Sequence, residues 1–126
     1  MRDDTLTSSA PAVERLLAAR VAHGDSSHTL RALRGDLDEL CDFLAQQGLA
    51  PETCASEPLR RWQARLAARR LAPATIARRL SSARALFGDL VRRGERADDP
   101  SLVLVGPRRR RRLPDPVTAS DCTLLL

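Results

Sequence analysis

The stretch LAPATIARRLSSARALFGDLVRRG, residues 71–94, decides the fold class. Proline near its start suits the first turn of a helix, and glycine at its end suits a left-handed residue after the last turn. Between them, apolar side chains recur at helical spacing and do not alternate. The members of this stripe are Ile76, Leu80, Ala83, Phe87, Leu90 and Val91. The pattern predicts one long amphipathic helix from about Pro73 to Gly94.

Three further helices are predicted upstream from the same kind of pattern. They span about Pro11–His23, Asp25–Gln47 and Ser56–Arg70, and Gly24 and Gly48 follow the first two. Their apolar stripes are, in order, Val13, Leu16, Leu17 and Val21; Leu30, Leu33, Leu37, Leu40, Cys41 and Leu44; and Leu59, Trp62 and Leu66. No segment shows the alternation typical of a strand. The sequence therefore predicts an all-α fold, a compact four-helix bundle within residues 11–105.

The two ends of the chain lack the long helical pattern of the segments between them. Residues 1–10 are interpreted as a tail, and residues 101–105 as a short helix or strand after the turn signal Asp98-Asp99-Pro100. Prolines and unbroken like charge predict an extended basic linker over residues 106–116. Residues 117–126 resemble the start of another helix that stops after about two turns. We expect them to open a further domain that is cut off here.

The composition narrows the class of partner. The formal charge is +5, the sequence pI is about 10.7, and all 21 basic residues are arginine. Such a balance fits a nucleic-acid partner, but arginine without lysine also follows from a GC-rich genome, so the placement of the arginines matters. The cysteines Cys41, Cys54 and Cys122 show no metal-ligand spacing, and no metal or other cofactor is expected. Without a signal peptide or an apolar run of about 20 residues, we expect a soluble, cytoplasmic protein.

Basic and hydroxyl side chains gather on two of the predicted helices. On the fourth helix they lie opposite the Ile76–Leu80–Phe87 stripe, a face that could meet phosphates and base edges; they are Thr75, Arg78, Arg79, Ser82 and Arg93. The second helix begins with His28, Thr29, Arg31 and Arg34, and its later part is acidic. Only its N-terminal end could therefore contact DNA. The alternative to DNA binding is that these basic faces are ordinary solvated helix surfaces. Trp62, on the third helix, is interpreted as a core residue and not as a platform for bases.

Two motifs resemble those of Xer-type tyrosine recombinases. SHTLRALRGDL, residues 27–37, resembles their S-x-T-L-x-A-Y-x-x-D-L pattern, and LAPATIARRLSSAR, residues 71–84, resembles L-x-x-x-T-I-x-R-R-L-S-x-x-R. Asp99-Pro100 stands where the family has Asn-Pro or Asp-Pro, and residues 107–114 resemble its P-k-x-x-r-x-L-P linker. The motifs occur in family order, so the resemblance extends over nearly the whole chain.

The resemblance implies a four-helix core-binding (SAM-like) domain that packs on one side of a DNA duplex through its second and fourth helices. The DNA contacts it implies are His28, Thr29, Arg31, Thr75, Arg78, Arg79 and Ser82, and the linker adds Arg108, Arg109, Arg110, Arg111 and Arg112. It further implies an inverted-repeat recombination site and other recombinase subunits in a tetrameric synapse. Leu33 and Ala74 depart from the family, which affects fine specificity more than the fold.

The family's chemistry uses a tyrosine nucleophile, and this sequence has neither tyrosine nor lysine. The chain is therefore expected to lack the catalytic half and not to be an enzyme. The leading hypothesis is a double-stranded DNA-binding module that serves recombination, in chromosome dimer resolution or integration of a mobile element. The main alternative is a helical protein-interaction module with an incidental basic surface. Neither a membrane nor a small-molecule ligand is expected.

Overall fold

The computed structural model of the chain describes residues 10–104. This part contains four α-helices and no strand, which confirms the all-α prediction. The helices are α1 (Pro11–His23), α2 (Ser27–Ala45), α3 (Ser56–Ala68) and α4 (Pro73–Arg92), followed by a 3-10 helix (Pro100–Val103). None of the helices in these 95 residues is long and apolar enough to cross a membrane.

Local sequence explains where the helices begin and end. Pro11 and Pro73 occupy the first turns of α1 and α4. Ser26 caps α2, because its hydroxyl accepts a hydrogen bond from the backbone N–H of Thr29. Gly24 follows α1 with a φ of 101°, a left-handed conformation that costs glycine little. The four helix starts were predicted within two residues, and a proline or a capping serine marks three of them, those of α1, α2 and α4.

The helix ends are less accurate than the starts. α2 and α3 were expected to reach Gln47 and Arg70, but they end at Ala45 and Ala68 and continue as turns. Arg70 itself has a φ of 59°, so it closes α3 in the left-handed region without a glycine to mark the place. The short segment after Asp99 is the 3-10 helix, in which Asp99 accepts a hydrogen bond from the backbone N–H of Ser101.

The core lies between α4 and the other helices. α4 packs against α1, α2, α3 and the 3-10 helix, so it is covered from several sides. The largest fully buried side chains are Trp62, Phe87, Leu16, Leu37, Leu40, Leu44, Leu59, Leu66, Leu80, Leu86, Leu90 and Val13. Trp62 is thus part of the core, as predicted. Leu86, absent from the predicted stripe, is also fully buried.

The prediction that Val21 belongs to the core is wrong. It was placed on the apolar side of α1, but 61% of it is exposed. It lies in the last turn before Gly24, where a shallow groove separates α1 from α2 and Leu30 of α2 is itself only half-buried. The helical period correctly predicts its side of α1, but it does not predict that the neighbouring helix leaves this end uncovered.

Candidate nucleic-acid interface

The N-terminal end of α2 presents the three residues predicted there. His28, Thr29 and Arg31 are all exposed. Arg34, one turn further on, is held by Glu14 of α1 through two hydrogen bonds of 2.6 and 3.1 Å. This hydrogen bonding raises the pKa of the Arg34 guanidinium, against a smaller effect of burial. Arg34 therefore ties α2 to α1, while Arg31 extends from the exposed side.

The four predicted residues of α4 do not share one environment. Thr75 is half-buried near the start of the helix, and Arg78 remains exposed. Arg79 has only 16% of its side chain exposed and forms an ion pair with Glu39 of α2. Ser82 is buried. The structure thus leaves Arg78 as the outward-facing cation of the set and draws Arg79 and Ser82 between α2 and α4.

Asp36 organises the contact between α2 and α4. Its carboxylate is buried, and its two oxygens accept hydrogen bonds from Arg78, at 3.1 Å from Nε and 2.7 Å from Nη2. The hydroxyl of Ser82 donates to the same carboxylate at 2.8 Å. The hydrogen bonds from Arg78 to Asp36, and then the charge of Asp36, raise the pKa of Arg78. About half of the Arg78 side chain, 51%, is nevertheless exposed.

The outward orientation expected for Ser82 is wrong. The expected face was taken opposite Ile76, Leu80 and Phe87, but the buried surface of α4 is wider and also includes Leu86 and Asp89. This shifts the exposed face by about one residue along the helix wheel, since each residue turns it by about 100°. Ser81 is therefore the exposed serine of this face, which the helical pattern did not predict.

A groove of about 410 Å³ runs between α2 and α4 at this place. It is lined by His28, Thr29, Ala32, Leu33, Asp36, Arg78, Ser81, Ser82 and Ala85, with Arg20 and Asp25 at the end of α1. Both carboxylates in the groove have arginine partners, because Arg20 lies 3.5 Å from Asp25 and Arg78 holds Asp36. The groove therefore offers donors and hydroxyls without an unpaired carboxylate.

Leu104, the residue after the 3-10 helix, is held against α4. Leu104 is buried, and its carbonyl accepts a hydrogen bond of 2.6 Å from Nη2 of Arg84 on α4. The five predicted linker contacts, Arg108, Arg109, Arg110, Arg111 and Arg112, lie outside the described residues, as do the tail and residues 117–126.

Within residues 10–104, no group of histidine, cysteine and acidic side chains could hold a metal ion. Cys41 is half-buried, and burial, reinforced by Asp38 and Asp42, raises the pKa of its thiol to about 12. Burial also raises the pKa of Cys54. Neither thiol is therefore activated toward nucleophilic chemistry, which requires the thiolate.

Comparison with known proteins identifies the family. The phage integrase N-terminal SAM-like domain matches residues 14–94. Tyrosine recombinase XerC of Mycobacterium tuberculosis is 43% identical over 91 residues, which cover 72% of this chain and 30% of the relative. XerC of Chromobacterium violaceum is 37% identical over 115 residues, 91% of this chain and 38% of the relative.

Tyrosine recombinase XerD of Bradyrhizobium diazoefficiens is 35% identical over 111 residues, 88% of this chain and 34% of the relative. The chain thus spans about a third of the length of these curated relatives. No solved structure gives a significant match. The resemblance to Xer-type tyrosine recombinases is confirmed, and the chain belongs to the family of phage integrase N-terminal SAM-like domains.

Proposed function

We propose that this chain binds double-stranded DNA as the core-binding part of a site-specific tyrosine recombinase. The N-terminal end of α2 and the exposed face of α4 form the DNA-binding surface. The chain acts in the cytoplasm, on an inverted-repeat site, together with further recombinase subunits in a tetrameric synapse. Strand cleavage is assigned to a catalytic region outside this sequence, because these residues include no tyrosine.

One observation carries the proposal. Arg31 of α2, which the family motif implicates, is exposed beside the neighbouring groove between α1 and α2. The other implicated α2 residues, His28 and Thr29, are exposed with Arg78 of α4 around the groove between α2 and α4. The carboxylates within that groove are paired with arginines, so no free acid opposes a phosphate. The N-terminus of α2 adds backbone N–H groups and a positive dipole end, which favour anions.

The contacts differ in kind across this surface. Arg31 has no partner within residues 10–104 and is suited to a phosphate, which any sequence supplies. Thr29, Ser81 and Arg78 line the groove and are suited to base edges in the major groove. Thr75, Arg79 and Ser82 act through the helix packing, since they are at least half-buried. The linker arginines 108–112 add further phosphate contacts.

A matched pair of arginine variants tests the proposed surface. Arg31→Ala removes an exposed cation from the N-terminal end of α2, and Arg60→Ala removes another exposed cation, from α3. Fluorescence anisotropy with a labelled duplex should show weaker binding for Arg31→Ala and an unchanged affinity for Arg60→Ala. Equal loss in both variants would indicate that only total charge matters, and would argue against the α2–α4 surface.

A protein-interaction module is the second candidate, and exposed apolar side chains favour it. Leu102 on the 3-10 helix is 78% exposed and Val21 on α1 is 61% exposed. Light scattering across a range of protein concentrations separates the two functions. Self-association that Leu102→Ser abolishes, without any duplex binding, would favour this second function.

A further inference from the structure

The Arg78 guanidinium has two edges that can each donate a pair of parallel hydrogen bonds. One edge comprises Nε and Nη2, and the other comprises Nη1 and Nη2. Asp36 occupies the first edge, at 3.1 and 2.7 Å. Nη1 has no hydrogen-bond partner within residues 10–104. The second edge therefore points away from the buried carboxylate.

The carboxylate that holds Arg78 is itself fixed. Asp36 has 3% of its side chain exposed, and Ser82 on α4 donates a further hydrogen bond to it. An arginine free in solvent must lose rotamer freedom when it binds. Arg78 has lost much of that freedom already, because two of its nitrogens are held by a buried partner. Its outward edge is thus preorganised for a ligand of fixed geometry.

The charge of the pair favours a base over a phosphate. Asp36 offsets the charge of Arg78, so the pair contributes hydrogen-bond donors with little net attraction for phosphate. Guanine presents two acceptors, O6 and N7, in the major groove, and an arginine with two parallel donors matches them. A phosphate would be served better by an unpaired cation such as Arg31.

We infer that Asp36 is a positioning residue that holds Arg78 with its Nη1–Nη2 edge outward, so that this edge reads a guanine in the major groove. The inference rests on the duplex binding proposed above. Asp36 itself touches no DNA. It lowers the attraction for DNA in general and raises the preference for one base pair.

Three variants of the full chain test this role. Asp36→Asn keeps the side-chain shape but removes the charge that holds Arg78. Arg78→Lys keeps the positive charge but loses the second pair of donors. The matched control is Asp89→Asn, because Asp89 is a second buried carboxylate, which lies on α4 and is held by Arg92 at 2.8 Å and Arg93 at 2.7 Å. Both Asn variants raise the net charge by the same amount.

The probe is a randomised duplex library, from which the wild-type chain selects its preferred sequences. Affinities are then measured on the selected duplex and on a scrambled one. We expect a selected guanine whose replacement weakens wild-type binding roughly five- to hundredfold. Asp36→Asn and Arg78→Lys should lose the preference for guanine at that position and keep the preferences at other positions. Asp36→Asn should bind the scrambled duplex at least as tightly as the wild type, and Asp89→Asn should keep the preference.

Each other outcome overturns a specific claim. If Asp36→Asn keeps the guanine preference, or if Asp89→Asn loses it equally, Asp36 does not position the reading residue. A wild-type chain that binds all duplexes alike contradicts the inference but leaves the proposed function standing. A wild-type chain that binds no duplex contradicts both. Far-UV circular dichroism checks folding, and if Asp36→Asn is unfolded, Arg78→Lys decides the outcome.

Discussion

Ser82 on α4 donates its hydroxyl to the buried carboxylate of Asp36 on α2 over 2.8 Å. This hydrogen bond fixes the rotation of α4 about its axis, because Ser82 must face α2 for it to form. Ser81 is then exposed and Arg78 stands at the edge of the contact. The relationship thus divides α4 into a side that packs and a side available for a ligand.

Ser82→Ala should lower the free energy of unfolding by about 1.5–3 kcal/mol, because it removes a hydrogen bond to a buried charged group. Ser81→Ala is the matched control and should change stability by about 0.5 kcal/mol or less, since Ser81 is exposed. Urea unfolding followed by circular dichroism measures both. Equal losses in the two variants would contradict this rotation of α4.

Trp62 should act as a core residue and not as a platform for bases. Trp62→Ala should cost about 3–5 kcal/mol, a large part of the stability of a small domain, whereas Trp62→Phe should retain the fold. Because Trp62 is 2% exposed, its fluorescence should not change when duplex DNA is added. Quenching at saturating DNA, with no change in circular dichroism, would contradict this placement.

Alkaline pH should destabilise the fold through Cys41. Its thiol pKa is raised from 9.0 to about 12 in the folded chain, chiefly by burial. Between these values the unfolded chain loses the proton first, so the free energy of unfolding falls as pH rises from about 9 to about 12. Chemical denaturation at several pH values should show a shallower fall for Cys41→Ala. An identical slope in both proteins would argue against the raised pKa.

The sequence predicted the elements of the fold better than the environment of single side chains. Prolines, Ser26 and glycines mark the helix starts and turns, so the four helices could be predicted. The pattern could not show that Ser82 is buried or that Val21 is exposed, because both depend on how neighbouring helices cover each face. A wheel built on Ile76, Leu80 and Phe87 underestimates how much of α4 is buried.

In the candidate site, too, the sequence predicted some residues, but it did not predict how the fold brings side chains together. His28, Thr29 and Arg31 were predicted from charge and motif, and they are exposed. The role of Asp36 was not predicted, because its position in an acidic stretch of α2 marks it as surface charge. Only the fold brings it to Arg78, 42 residues further along the chain.

The linker arginines should contribute to affinity and not to sequence preference. Replacing residues 108–112 with serine should weaken binding to a selected and a scrambled duplex by similar factors, because contacts to phosphates carry no sequence information. Competition binding with both duplexes measures the ratio. A changed sequence preference in this variant would move the reading function from α4 to the linker.

The salt dependence of duplex binding by the full chain tests the central claim most directly. Each phosphate contact should contribute about −0.9 to the slope of log affinity against log salt concentration. Anisotropy titrations with a labelled duplex from low to physiological salt should therefore give a steep negative slope. The slope for the Arg31→Ala chain should be smaller in magnitude by about 0.9, the contribution of one phosphate contact. A flat titration, or no binding at low salt, would contradict the assignment of this domain to DNA.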